Sequence, residues 1–366
     1  MIEADVAVLG GGLAARWIAA RCAASASVIR VAPSDPQPAP ATERSLGIVA
    51  AGGHDSPVRI THALGDELSR ELWMFSRAAS DRLLALDPRA RRGVWRVALG
   101  DHERDEWDLA RRLLERWGED PGTSADGDVL ASRVGTGFVG GVRIAQDGCV
   151  DLATVLAGLS EVPVEAGAGR IASVDDGVVI ERDEGEPIRA EIAVVAAGIG
   201  SRRVHPFFEE ALYPVRVQAR HGGPGRAGVG REAGVARHRH EAWAPRPDGG
   251  LDFLGCRWAE QPEMGAGVMD DVALSDAVAA RQDDFVTRCL GGGAVRSRWA
   301  GIANYSCDGL PIVGPLPGAP RVIALTGWCG WGLSWIGEAV DVVARAVLGE
   351  EEDRPLPRHL AARRML

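Results

Sequence analysis

Apolar residues follow two spacings along this chain, and the switch between them predicts its elements. Residues 4–9 form a short, mostly apolar run of the kind found in a parallel strand buried on both faces. The run stops at Gly10, Gly11 and Gly12, after which an alanine-rich stretch to about Ala24 reads as a helix and Val28 to Val31 as a second strand. That is a βαβ unit. Pro33 to Ala41 holds four prolines and can continue neither element, so it reads as a surface loop. From His62 to Leu86, and again from Asp101 to Gly118, apolar positions recur at helical spacing on charged segments. This predicts two amphipathic helices suited to a cap or a domain interface. Asp147 to Leu159 reads as a turn and a helix with Asp151 as N-cap. Ile171 to Glu181 and Ile192 to Ala196 read as strands, the second ending in another glycine turn, Ala197 to Ser201. Gly222 to Ala236 is rich in glycine and arginine and reads as a mobile loop inside a second, β-rich region. Val322 to Leu348 is the most apolar late segment, but its glycines, Glu338, Asp341 and Arg345 make it a buried turn and helix rather than a membrane span.

Composition narrows the chemistry. The 366 residues are 46% hydrophobic and 25% charged, as in soluble globular chains, and allow two or three domains. A net charge of −10 has the wrong sign for phosphate-neutralising contacts, which argues against a nucleic-acid partner. All 41 basic residues are arginine, which removes Schiff-base chemistry and the phosphate-gripping lysine of a P-loop. The six cysteines are scattered, with no C-x-x-C pair and no zinc spacing, as expected of reduced thiols in a cytoplasmic chain. The first residues carry no basic stretch before the apolar run, which argues against a secretory signal. His238, His240 and Glu241 in the RHRHE stretch lack a third well-spaced ligand and read as solvated loop residues, so no metal is assigned.

The stretch VAVLGGGLAA (6–15) fits strand, G-x-G-x-x-A and helix. Gly10 makes the tight turn, Gly12 lets a pyrophosphate approach the backbone, and Ala15 packs helix on strand, with Leu13 and Ala14 opening the helix toward the phosphates. The acidic residue that should end the second strand and hold the ribose is missing, because Val31 is followed by Ala32, Pro33 and Ser34. The order of further pieces is more specific than any one of them. It runs SLGIVAAGG (45–53), DGCVD (147–151), VVAAGIGS (194–201), PRPDGGLDFLG (245–255), DGLPIVGP (308–315) and GWCGWGLS (327–334).

In these pieces the chain resembles the FAD-dependent oxidoreductases of the D-amino-acid oxidase-like family, which includes glycine, sarcosine and dimethylglycine oxidising enzymes. The resemblance implies an α/β fold with a Rossmann-type FAD-binding domain and a second, β-rich substrate domain. Residues 1–55, 145–204 and 300–366 would form the first, and 56–144 and 205–299 the second. It implies FAD contacts at Gly10, Gly12, Leu13, Ala14, Ser45, Gly47, Ile171, Ala197, Gly198, Asp308, Gly327, Gly330, Trp331, Gly332 and Leu333. The late turn would lie against the flavin ring, its glycines admitting a planar group and its helix start stabilising charge at the pyrimidine edge. His54 and Cys307 are the residues considered for covalent attachment, and noncovalent FAD is the expectation. Trp331 and Trp335, at helical spacing, read as core before substrate box.

The implied reaction is oxidation of a C–N bond in a small-molecule, amino-acid-derived or peptide-like amine by hydride transfer to flavin N5, with oxygen as final acceptor. Substrate contacts are expected at Tyr305, Trp328, Arg216 and Arg220. The amino-acid oxidising relatives carry an arginine in the segment matching 301–304, where this chain has Ala303 and Asn304. Free α-amino acids should therefore be poor substrates unless Arg216 or Arg220 reaches in. Two rivals stand beside this reading: a flavin monooxygenase using NAD(P)H, and a catalytically silent flavoprotein acting as an assembly partner.

Overall fold

The computed structural model describes residues 1–53, 55–167, 169–174, 176–226, 229–238, 240–261, 265–351 and 354–365. The first strand, Ile2–Leu9, pairs in parallel with Val28–Ala32 on one side and Ile188–Val195 on the other. Ala319–Thr326 extends the sheet in parallel beyond Ile188–Val195, and Val164–Ala166 extends it beyond Val28–Ala32. Ile312–Leu316 and the hairpin Gly169–Val174 with Gly177–Arg182 complete eight strands. Helices Leu13–Cys22, Asp66–Ala85 and Ile336–Leu348 share one core with a face of this sheet, and a second core with Phe208 and Val204 covers the other. Residues 6–9 are buried on both faces, as their apolar run predicts. Because Ile2–Leu9, Ile188–Val195 and Ala319–Thr326 are parallel and in register, their glycine ends emerge on one edge. In open α/β sheets that edge receives the ligand.

The second sheet has nine strands. Along its main path they run Val295–Ser306, Leu212–Gly222, Leu251–Leu254, Glu241–Pro245, Gly234–Ala236, Arg91–Ala98, Gly140–Cys149 and Ile48–Val49. Positions 145 and 300 lie inside the strands Gly140–Cys149 and Val295–Ser306 of this sheet. Two expectations about elements change. The helix expected from His62 begins at Asp66, because Gly65 at φ 83° separates it from a shorter helix, Pro57–Leu64. Within the expected loop 222–236, Gly234–Ala236 is a buried inner strand, and Gly234 is fixed there by Trp243, whose ring a Cβ would meet at 2.3 Å. Asp151 caps its helix as read, accepting from the Ala153 N–H at 3.2 Å. Among the described residues no helix is long and apolar enough to cross a membrane.

Candidate active site

The first glycine turn is set by backbone packing. Gly10 has φ 142°, and a Cβ there would stand 2.5 Å from the Ala196 carbonyl oxygen and 3.1 Å from Ala15. Only glycine fits. Gly12 opens the helix Leu13–Cys22 with extended backbone, no side-chain cap and no acidic residue in the first turn, which leaves a helix N-terminus receptive to an anion. Gly11 and Gly12 are half-exposed, whereas Leu13 and Ala14 are buried and can contribute only backbone groups. A Cβ on Gly12 would fill the gap to the Thr42 hydroxyl, 3.2 Å away, and that hydroxyl already accepts from the Leu13 N–H at 3.0 Å. At the end of Val28–Ala32 no carboxylate appears. Asp35 is exposed and accepts from the Gln37 amide, while Arg30 is held below its ordinary pKa by burial and by the neighbouring Arg16.

The central turn follows Ile188–Val195. Gly198, at φ 58°, has open space where a side chain would be, and its carbonyl accepts from Thr326, which in turn accepts from the Asn304 amide at 2.8 Å. Several residues assigned to the cofactor also make contacts within the protein. A Cβ on Gly47 would collide with the Val150 carbonyl at 2.2 Å, and the Ser45 hydroxyl accepts from the Gly47 N–H. The Ile171 N–H donates to Val204, and its side chain lies in the core. Asp308 holds its own turn. It accepts from the Ser306 hydroxyl, the Leu310 N–H and, through its two oxygens, the Nε and Nη2 of Arg364. Burial opposes its ionisation, but Arg364 and these donors hold the carboxyl below its usual range.

The late turn carries three left-handed residues, Gly327, Cys329 and Gly330. Gly330 is exposed, and a Cβ on it would lie 3.2 Å from the Tyr305 hydroxyl. Trp328, expected at the substrate, is instead buried in the core shared with Leu13 and Ile336, because the turn directs it inward against Gly332. Leu333 packs on the same core, and Trp335 is buried there against Phe75. Trp331 is partly buried and packs against the core cluster of the second sheet that holds Leu46, Ile48 and Val94, in keeping with its expected core role.

Beside this turn runs the loop 50–53, whose backbone is held from three directions. Ser334 donates to the Ala50 carbonyl at 2.5 Å, and the Gly52 N–H donates to Ser76 at 2.7 Å. The Ala51 N–H donates to Asp147 at 3.0 Å while Arg96 donates to the Ala51 carbonyl at 3.0 Å. Arg96 and Asp147 are fully buried and paired at 2.6 Å, with Arg77 on the other carboxylate oxygen at 2.9 Å. The Arg96 guanidinium also lies over the rings of Trp73 and Trp107. His54 lies outside the described residues, and Cys307 is exposed near the Met365 sulfur.

Strand alternation decides which side chains face the turn. Tyr213, Val215, Val217 and Ala219 stand opposite Tyr305, Ala303, Gly301 and Trp299 in register. The two tyrosine rings lie 5.7 Å apart. Burial pushes the Tyr305 phenol up to about 12. Arg216 and Arg220, assigned to the substrate, point to the opposite face, since they are one residue out of step with Tyr213. Arg216 pairs with Glu260 at 2.8 Å, and Arg220 with Asp283 at 2.8 Å and the Gly293 carbonyl. Sequence reasoning missed Tyr213 and Trp299. The alternation in 212–222 was visible, but its register against 295–306 was not.

Among the described residues no group of His, Cys, Asp and Glu could hold a metal ion. His238 is not solvated as read. Its N–H donates to Glu103, and its Nε2 lies 2.8 Å from Arg59. His240 is exposed, and Arg239 lies outside the described residues. Glu241 is buried beneath this hairpin, near Trp258, Arg237, Glu103 and Cys256, and desolvation raises its pKa to about 7. Stability from this group is present below about pH 4.5, its ordinary value, and is lost as pH rises toward 7. The loss is on the order of 3 kcal/mol. Glu241→Gln should flatten that fall in denaturant melts taken across the interval, and an unchanged slope would assign it elsewhere.

A family model described as FAD dependent oxidoreductase (DAO) matches residues 5–345. The chain belongs to this FAD-dependent oxidoreductase family. The finding agrees with the resemblance carried by the glycine turns, and it makes FAD the cofactor. The two turns fit it: a helix start whose N-cap is a bare glycine and an exposed glycine turn followed by a second helix start. No curated protein matches the chain by sequence. Among solved structures, this oxidoreductase is similar to glycine oxidase from Geobacillus kaustophilus, at 17% identity and TM-score 0.79, covering 99% of each chain. Iminodiacetate oxidase from Chelativorans matches at 17% identity and TM-score 0.70, covering 97% of this chain and 98% of the other. Fructosyl amine:oxygen oxidoreductase from Aspergillus fumigatus matches at 15% and 0.74, covering 98% and 89%.

Proposed function

We propose that this oxidoreductase oxidises a C–N bond of a small amine that lacks an α-carboxylate. The observation that carries the reading is the strand face formed by Tyr213, Tyr305 and Trp299, with the Gly330 turn against Tyr305 and alanine at position 303. The glycine and iminodiacetate oxidases and the fructosyl amine oxidoreductase among the similar structures support amine chemistry by their names. FAD, when bound, supplies the acceptor for the hydride leaving the carbon beside the nitrogen, with oxygen as the final acceptor. The backbone of Gly11 to Ala14 would hold the pyrophosphate, and the turn from Gly330 to Leu333 the ring. Residues 1–55, 145–204 and 300–366 would supply most nucleotide contacts, and 56–144 and 205–299 most of the substrate side.

Tyr305 stays protonated across the neutral range and offers a hydroxyl that can donate to or accept from the substrate. No carboxylate among the residues named on this face would hold the amine as an ammonium, which favours the free base whose lone pair helps expel the hydride. Ala303 and Asn304 supply no cation where an α-carboxylate would sit, and Arg216 and Arg220 are engaged on the opposite face, which leaves only the more distant charge of Arg257 that acts on both tyrosines. In an anaerobic screen of the FAD-loaded protein, glycine, sarcosine and free D-amino acids should bleach the flavin on the order of a hundredfold more slowly than the best N-alkyl or arylalkyl amine. Rapid bleaching by any of these amino acids would remove the substrate assignment. Bleaching by NADH with none by amines would favour a monooxygenase.

A further inference from the structure

We propose that Arg44 forms an anion-binding subsite for substrates whose carboxylate lies several bonds from the oxidised carbon, an inference that rests on reading the Tyr305 face as the substrate side. Arg44 ends the short helix Ala41–Arg44, and its carbonyl is fixed by the Trp299 indole N–H at 3.0 Å. Its stem lies directly on Gly301. A Cβ at that glycine would stand 3.0 Å from the Arg44 Cβ and 3.2 Å from its Cγ. Gly301 lies in the same strand-face row as Ala303 and Tyr305, so this strand lacks a side chain where Arg44 crosses it.

The guanidinium is poorly satisfied. Its Nε is buried without a hydrogen-bond partner, and its ion pair with Asp271 is long, at 3.9 Å. Asp271 is itself engaged by the Ala39 N–H at 2.8 Å. By contrast, Arg216 and Arg220 on the opposite face meet their carboxylates at 2.8 Å. An arginine fork normally takes a carboxylate through two short parallel bonds, so Arg44 retains capacity for a planar anion. Side-chain exposure of 37% leaves the head reachable.

Position sets the substrate class. Strand residue 306 lies at the late turn, where Ser306 contacts Cys329, and residue 301 lies farther along the strand. The Arg44 stem crosses the strand at Gly301, two residues or roughly 6.6 Å from position 303, and carries its guanidinium on toward Asp271 rather than to the place of a cation borne at 303. An α-carboxylate beside the reacting carbon is too short to bridge that gap. An amine bearing a terminal carboxylate on a chain of several atoms spans it across Ala303 and Gly301, which put no large side chain in the way.

Calorimetric titration of the FAD-loaded protein with phenylbutyrate, against the uncharged phenylbutanol, tests this without turnover. The wild type should bind the acid roughly tenfold or more tightly than the alcohol. Arg44→Gln should bring the two to parity, and Arg44→Lys should keep part of the preference. Gly301→Ala, which retains the arginine but displaces its stem, should also lose the preference. Equal binding of acid and alcohol by the wild type overturns the proposal. So does an Arg44→Gln protein that keeps the preference, or one that loses FAD while keeping it. An Arg44-dependent preference in a protein that oxidises no amine would overturn the proposed reaction and leave the subsite standing.

Discussion

Gly12→Val is expected to yield a folded protein with FAD affinity reduced by on the order of a hundredfold, whereas Gly10→Val is expected to yield little folded protein at all. The two glycines share one turn but meet different neighbours. At Gly12 a side chain meets the Thr42 hydroxyl on a surface turn that can shift, so its bulk falls mainly on the helix start where the pyrophosphate must approach. At Gly10 it meets the Ala196 carbonyl of the adjoining strand at 2.5 Å, and the φ of 142° is itself closed to a branched residue. Flavin absorbance per chain, read beside a thermal melt, separates the two effects. A Gly12→Val protein carrying full FAD would show that this turn does not hold the pyrophosphate.

Asp147→Ala is expected to destabilise the fold by about 3 to 5 kcal/mol. The loss would leave Arg96 and Arg77 buried without their carboxylate and the Ala51 N–H without an acceptor. Arg96 cannot relieve this by turning to solvent, because it is fully buried between Trp73 and Trp107. Arg77→Met should cost clearly less, since Asp147 keeps Arg96 and the Arg77 head lies nearer the surface, toward Asp81. Urea unfolding of the two variants measures the difference. A cost below about 1 kcal/mol for Asp147→Ala would place it with exposed ion pairs and exclude a buried clamp.

The glycine turns and the βαβ start were legible because their signals are local: a buried strand, a glycine and a helix within some twenty residues. The side chains facing the late turn were not. Arg216 and Tyr213 sit three residues apart on one strand, and which of them looks toward the turn depends on pairing with Val295–Ser306, far along the chain. Trp328 is likewise turned inward at the left-handed backbone of Gly327, Cys329 and Gly330, which composition cannot reveal. Asp308 looked like a cofactor contact within a glycine-proline turn, yet its partner is Arg364 near the other end of the segment. The Arg96 and Asp147 pair left no sequence signal, since residues 51 apart become neighbours only through the strand pairing.

The backbone of loop 50–53 is completed by Ser76, Arg96, Asp147 and Ser334, and the last of these is 284 residues downstream of its partner. Closing so long a connection is slow and is rewarded only once its contacts can form. During synthesis the amino-terminal βαβ unit can assemble early, but the loop beside the late turn cannot be locked until the segment holding Ser334 has left the ribosome. Acquisition of the cofactor is therefore a terminal event in the life of the nascent chain, and a chain stalled upstream of Ser334 should emerge colourless.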